Sequence, residues 1–108
     1  MWFVFPQIAG LGRSATARHF AVSGLPEAVA YLAPPTLGPR LRECARVLTE
    51  LLERDPAKIF GQVDALKLQS SMTLFSVADP TEQVFVAVLD HYFEGVVDEA
   101  TIGLLERH

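Results

Sequence analysis

The residues best suited to bind a ligand lie near the start of the chain, in the run Gly10-Leu11-Gly12-Arg13-Ser14. Two glycines let the backbone turn its N–H groups toward one point, and the serine adds a hydroxyl where a helix can begin. Anions bind favourably at a helix start because its unpaired N–H groups carry partial positive charge. The run therefore predicts an anion-binding loop, with an ordinary tight turn and helix cap as the alternative.

Two well-defined phosphate motifs do not fit this loop. No Gly-Lys-Ser/Thr follows at the spacing of a P-loop, and the third glycine and preceding strand of a dinucleotide fingerprint are missing. Arg13 can still clamp a carboxylate or a phosphate. We expect Gln7 and Arg40 to contribute to the same ligand site.

A second polar group lies on the predicted helix 63–77. Lys67, Ser70 and Ser71 share one helical face at positions i, i+3 and i+4. A lysine beside serine hydroxyls occurs in nucleophile–base pairs, but the order Ser-x-x-Lys of that chemistry is reversed here. The alternative is that the hydroxyls bond back to helix carbonyls. We expect a ligand-contacting face and assign no catalytic residue.

The free-energy cost of burying a lysine supports one pocket shared by the loop from Gly10 to Ser14 and the face that carries Lys67. Helix 63–77 is apolar enough to be buried, so Lys67 has to reach solvent, pair with an acid, or face a wet cavity. A bound anion shared by Lys67 and Arg13 would satisfy both. The alternative is that Lys67 pairs with a surface acid.

Metal chemistry is not indicated. The chain contains His19, His91 and His108, which are not at ligand spacing with one another or with Cys44. Cys44 is the single cysteine and lies in an apolar helical pattern, which predicts a small buried side chain in a reducing compartment. We predict no metal and no cofactor.

The composition and charge of the chain limit its possible domain organisation and partners. The 108 residues are 50% hydrophobic and 20% charged, as expected of one folded domain over residues 1–108. The net charge of −4 argues against nucleic-acid binding, which needs clustered cations. No run approaches the roughly 18 apolar residues of a membrane span, and no basic segment marks a signal peptide. The sequence thus predicts a cytoplasmic protein without nucleic-acid or membrane partners, and it leaves the oligomeric state open.

Apolar spacing of three and four residues predicts an all-α fold of five or six irregularly packed helices. Prolines at Pro26, Pro56 and Pro80 suit first turns of helices. Helix 63–77 is apolar around most of its circumference, so we expect it to be central. The predicted helices span residues 14–19, 24–33, 36–54, 63–77, 81–94 and 98 onward, and a short helical turn spans residues 56–60.

Two sets of apolar residues are expected to build the core. The short non-helical segment Met1–Phe5 carries three aromatic rings and should lie across the helices. The clearest amphipathic helix, 36–54, is predicted to turn these side chains inward: Leu41, Cys44, Ala45, Leu48, Leu51 and Leu52.

Six short runs along the chain form a recognisable signature: WFVFPQ from Trp2, GLGRS from Gly10, YLA from Tyr31, LGPRL from Leu37, IFG from Ile59 and LKLQSSMTLF from Leu66. In this order they closely resemble the signature of a bacterial domain-of-unknown-function family that automatic annotation often labels calpastatin. The resemblance covers nearly the whole chain and implies a compact, mostly helical protein with no established activity. The calpastatin label conflicts with the composition, because inhibitors of that type are polar and disordered.

The chain departs from that family at its front. Relatives carry an additional N-terminal segment that leads into a His-Trp-Met-Trp-Phe run, and Met1 falls at the Met of that run. We therefore expect part of the core to be missing and an apolar patch to be exposed, so that a form extended upstream is more stable.

Three functions follow as hypotheses. The leading one is a binding module for an anionic or phosphate-bearing small molecule, with Gln7, Gly10, Gly12, Arg13, Ser14, Arg40, Lys67, Ser70 and Ser71 as its site. The second is a small enzyme on a nucleotide-like substrate, using Lys67, Ser70 and Ser71 or His19. The third is a protein-interaction domain that uses exposed N-terminal aromatics.

Overall fold

The computed structural model describes Phe5, residues 24–33 and residues 37–107. These residues form helices and no strand, as the all-α prediction required. Six helices are present in the described part of the chain. They are α1 (Leu25–Leu32), α2 (Leu37–Thr49), α3 (Pro56–Phe60), α4 (Gln62–Ala78), α5 (Gln83–Phe93) and α6 (Glu99–Arg107).

Helix α4 is the centre of the described fold. It packs against α1, α3, α5 and α6, while α2 packs against α5 and α1. Every side chain from Ser70 to Phe75 is buried, so this stretch is enclosed all round. The ring of Phe75 contacts those of Tyr31 on α1 and Phe85 on α5, at centroid distances of 5.4 and 5.8 Å. The predicted central position of this helix is confirmed.

The helix starts follow local sequence chemistry. Asp55 caps α3 by accepting a hydrogen bond from the backbone N–H of Ala57, and Pro56 occupies the first turn. Glu82 caps α5 in the same way through the N–H of Val84. The predicted boundaries of α3 at residues 56 and 60 are therefore confirmed.

Helix α2 ends at Thr49, so the predicted extension to Arg54 is wrong. The Tyr92 hydroxyl of α5 donates to the carbonyl oxygen of Leu48 at 2.7 Å, and Leu51 N–H reaches the same oxygen at 3.4 Å. That carbonyl would have to accept from Leu52 for the α-helix to continue. Glu50 and Leu51 instead make bonds to residues three positions earlier, which tighten and close the last turn.

Two apolar side chains predicted to face the interior are exposed instead. Leu51 and Leu52 lie beyond the end of α2 and are 39% and 98% exposed. On α4, which is apolar around most of its circumference, Val63 and Leu66 lie before the enclosed stretch and are 67% and 64% exposed. The inward face predicted for α2 is otherwise confirmed, with Leu41, Ala45 and Leu48 buried and Cys44 half-buried.

One close contact fixes the corner between α1 and α2. A Cβ at Gly38 would lie 2.1 Å from the carbonyl oxygen of Leu32, far inside van der Waals contact. Helix α2 can therefore approach the end of α1 because residue 38 has no side chain. Arg42, one turn later, ties α2 to the α4–α5 connection through Asp79 and Glu82, each at 3.3 Å.

Candidate functional site

Much of the predicted loop site lies outside the described residues. Gln7, Gly10, Gly12, Arg13 and Ser14 belong there, as do Trp2, Phe3 and the predicted helix 14–19, so the convergence of Arg13 with Lys67 stays a prediction. Phe5 is described, and its side chain is buried in the core with 7% exposure. For this one N-terminal aromatic, the expected burial is confirmed.

The polar side chains of α4 divide into two faces, and the first joins the helix to the α5–α6 connection. We call Gln69 and Thr73 the connection face. The Gln69 amide donates to the carbonyl oxygen of Val96 at 2.9 Å. The Thr73 hydroxyl donates to the Gln69 carbonyl at 2.8 Å and accepts from the backbone N–H of Asp98 at 2.9 Å. Both side chains are thus committed to backbone groups.

The connection face also sets the start of α6. Asp98, held by Thr73, accepts hydrogen bonds from both the backbone N–H and the hydroxyl of Thr101 through its Oδ2 atom. A carboxylate in this position satisfies N–H groups that a helix start leaves unpaired. The role of these polar residues is therefore structural, in agreement with the alternative in which hydroxyls bond to the backbone.

The second set of polar side chains we call the ligand face: Asp64, Lys67 and Ser71, at positions i, i+3 and i+7 of α4. This spacing places them on one side of the helix. The Lys67 ammonium lies 3.5 Å from a carboxylate oxygen of Asp64, and the two side chains are 19% and 43% exposed. Lys67 therefore pairs with an acid, and it makes a further interaction besides this one.

Ser71 differs from its polar neighbours because its buried hydroxyl has no hydrogen-bond partner among the described residues. The residue has no exposed surface. Its usual partner would be the Lys67 carbonyl one turn earlier. That carbonyl has two lone pairs, one of which accepts the helical N–H of Ser71, while the other accepts the Ser70 hydroxyl at 3.0 Å. The Ser70 hydroxyl thus occupies the carbonyl that would otherwise accept from Ser71, whose hydroxyl has no partner among the described residues.

Arg40 is exposed in the first turn of α2, and its contribution to the ligand site stays a prediction. Burial raises the pKa of the Tyr31 phenol, and the charge of Arg40 acts in the opposite direction. Because Tyr31 contacts Phe75, one turn beyond Ser71, Arg40 approaches the far end of this side of α4.

The groups named in the enzyme hypothesis have these contacts in the described part of the chain. The Ser70 hydroxyl donates to the backbone carbonyl of Lys67, which cannot serve as a general base. The His91 ring contacts the Glu53 carbonyl oxygen through Nε2 at 3.2 Å. No group of three potential metal ligands occurs among residues 24–33 and 37–107.

An open cleft of about 270 Å³ lies along α5, and none of the residues of the ligand face lines it. Its lining residues are Pro80, Glu82, Gln83, Val86, Ala87 and Asp90. Within the described residues, no helix combines the length and apolar character needed to cross a membrane.

Asp64 is the residue of this face that the sequence interpretation missed. An acid three positions before a lysine on a predicted helix is a recognisable pairing signal. Its importance depends on the burial of Lys67, which the spacing does not reveal.

These features define a small all-α protein in which a central helix carries a polar, partly buried face. The sequence model of a family described as a protein of unknown function, DUF1810, matches residues 1–105, and the chain belongs to that family. The resemblance to a domain of unknown function is thereby confirmed, while the calpastatin label stays untested.

A solved structure agrees with this assignment. The chain is similar to the conserved hypothetical protein Rv1873 from Mycobacterium tuberculosis, whose crystal structure was determined at 1.38 Å. The two are 48% identical with a TM-score of 0.94, and the match covers 97% of this chain and 75% of that one. No curated protein matches the chain.

Proposed function

We propose that this protein is a binding module for an anionic, phosphate-bearing small molecule, with Lys67 and Ser71 on the ligand face as its main contacts. The proposal rests above all on the buried Ser71 hydroxyl, which lacks a partner among the described residues. An unsatisfied buried hydroxyl costs about 1–3 kcal/mol, and a bound oxygen atom can recover that cost.

The lysine one turn earlier supports an anionic ligand. The Lys67 side chain is 19% exposed, so its charge acts in an environment that is screened less than the protein surface. A hydroxyl donor and an ammonium on one helix face can together bind two oxygens of a phosphate group. The loop from Gly10 to Ser14, Gln7 and Arg40 remain proposed contributors to the same ligand.

Binding rather than turnover is the function that we propose. The Ser70 hydroxyl donates to the Lys67 carbonyl, and a backbone carbonyl is too weak a base to activate a nucleophile. We place the protein in the cytoplasm on the evidence of its single cysteine, which is free and half-buried.

A thermal-unfolding screen with phosphate esters tests the proposal, because a ligand that binds the folded state raises the apparent Tm by mass action. We expect a ligand-dependent rise in wild type that is lost in Lys67→Met and reduced in Ser71→Ala. Lys58→Met is the matched control, since Lys58 is the other lysine of the chain and is exposed on α3. Arg13→Ala should weaken the binding of the same ligand.

Two results would contradict the proposal. One is the absence of any ligand-dependent shift in the wild-type protein across the screen. The other is an equal shift in wild type, Lys67→Met and Lys58→Met, which would place the ligand elsewhere.

A further inference from the structure

The Lys67 ammonium already has an anionic neighbour in this structure. Asp64 lies one helical turn before it, with an oxygen 3.5 Å from the lysine nitrogen. The two charges cancel locally, so a simple anion that approaches Lys67 meets little net attraction. The ligand face is therefore amphoteric, with a donor at Lys67 and an acceptor at Asp64.

A phosphate group bound at Lys67 creates a problem for the carboxylate beside it. If Asp64 stays, two anions lie within a few ångströms and repel each other. If Asp64 turns away, its carboxylate exchanges the Lys67 ammonium for water. The 43% exposure of the Asp64 side chain permits this movement. A ligand avoids both costs when it also supplies a hydrogen-bond donor to the carboxylate.

We infer that the ligand is a hydroxylated phosphate ester, in which hydroxyl groups lie within a few bonds of the phosphate. This inference rests on the proposed function and assigns Asp64 as its specificity-determining residue. Lys67 binds the phosphate, and Asp64 accepts a hydrogen bond from a ligand hydroxyl. The hydroxyl of Ser71 donates to a phosphate oxygen.

The spacing along α4 sets the size of the recognised group. Asp64 and Lys67 are three residues apart, which is about 4.5 Å along a helix axis. That distance fits a phosphate and a hydroxyl carried by one small polyol or sugar unit. Ser71 has no exposed surface, so its hydroxyl contacts a phosphate oxygen only when neighbouring side chains move aside. An oxygen bound there is removed from water, where a hydrogen bond discriminates most strongly.

Calorimetric titration with two probes tests the inference: glycerol phosphate, which carries hydroxyls, and methyl phosphate, which has the same phosphate monoester group and none. For wild type we expect glycerol phosphate to bind about tenfold more tightly, the ratio expected for one charge-assisted hydrogen bond. In Asp64→Ala the ratio should fall to about one, because methyl phosphate gains affinity while glycerol phosphate does not.

Asp90→Ala is the matched control, since it removes an exposed carboxylate from the neighbouring helix α5 and should leave the wild-type ratio unchanged. Asp64→Ala should raise the affinity for methyl phosphate and not for glycerol phosphate, which separates recognition from a loss of stability that would weaken the binding of both.

The titration distinguishes failure of the inference about Asp64 from failure of the proposed function. If both probes bind equally to wild type and Lys67→Met weakens both, the inference about Asp64 is wrong while the proposed function stands. The same holds if glycerol phosphate is preferred and Asp64→Ala preserves that preference. If neither probe binds to wild type, the inference and the proposed function are both overturned.

Discussion

The two polar faces of α4 carry similar side chains and use them differently. On the connection face, the Thr73 hydroxyl both donates and accepts a hydrogen bond. On the ligand face, the equally buried hydroxyl of Ser71 does neither among the described residues. This comparison shows that burial of a polar group does not by itself indicate function. What matters is whether the fold supplies the group with a partner.

The largest effect is expected from Thr73→Val, which keeps the side-chain shape and removes the hydroxyl. The N–H of Asp98 then loses its acceptor and α6 its fixed start, which should lower the free energy of unfolding by about 1–3 kcal/mol. Urea unfolding measures the change. A loss below about 0.5 kcal/mol would show that the connection face does not hold α6 in place.

Gln69→Met tests the other member of the connection face with a smaller expected effect. The Val96 carbonyl loses the amide donor but lies in an exposed connection, where water can replace it. We expect a loss of about 0.5–1.5 kcal/mol in urea unfolding. If Gln69→Met costs more than Thr73→Val, the order of the two contacts is wrong.

Ser71→Ala should behave in the opposite way to Thr73→Val. No hydrogen bond among the described residues is lost, an unsatisfied hydroxyl is removed, and alanine favours a helix more than serine. We expect the unfolding free energy to stay constant or to rise by up to about 1 kcal/mol. A loss as large as that of Thr73→Val would abolish the distinction between the faces.

Asp64→Asn should change stability less, because lysine–acid pairs three residues apart on a helix contribute about 0.5 kcal/mol or less. The cost should decrease as salt is added, since salt screens the pair. Unfolding at low and high ionic strength measures both. A salt-independent loss would indicate that Asp64 acts through a contact other than Lys67.

Titration of Tyr31 gives the smallest and most local test. Its pKa is raised by burial, so its contribution to stability is full below the unfolded-state value of about 10 and is lost as pH rises through the folded-state pKa. Arg40→Gln should raise the pKa further by removing a nearby positive charge.

A Tyr92→Phe background isolates the Tyr31 signal in a tyrosinate absorbance titration, since the chain has two tyrosines. An unchanged Tyr31 pKa in Arg40→Gln would show that Arg40 does not act on this end of α4.

Parts of the candidate site could be predicted from the sequence. Helical spacing alone placed Lys67 and Ser71 on one face, and the apolar character of the segment indicated that it is central. The spacing did not show that the Ser70 hydroxyl occupies the Lys67 carbonyl. It also did not separate Ser71 from Thr73, because both are polar residues in the same buried stretch.

The ends of the helices also involve long-range contacts that the sequence pattern does not reveal. The start of α3 follows from Asp55 and Pro56, whose effects reach only one turn. At the end of α2, the Leu48 carbonyl accepts from the hydroxyl of Tyr92, which lies 44 residues later in the sequence. Leu51 and Leu52 fit the apolar spacing of α2, but the helix closes before they can turn inward.

The all-α class, most helix starts and the central position of α4 can be predicted from the sequence, because periodicity and capping act between residues a few positions apart. Only the folded chain shows where α2 ends, which apolar residues stay exposed, and which polar groups of α4 have partners. Those outcomes depend on backbone groups that folding brings from distant positions, such as the N–H of Asp98 that reaches Thr73 from 25 residues away.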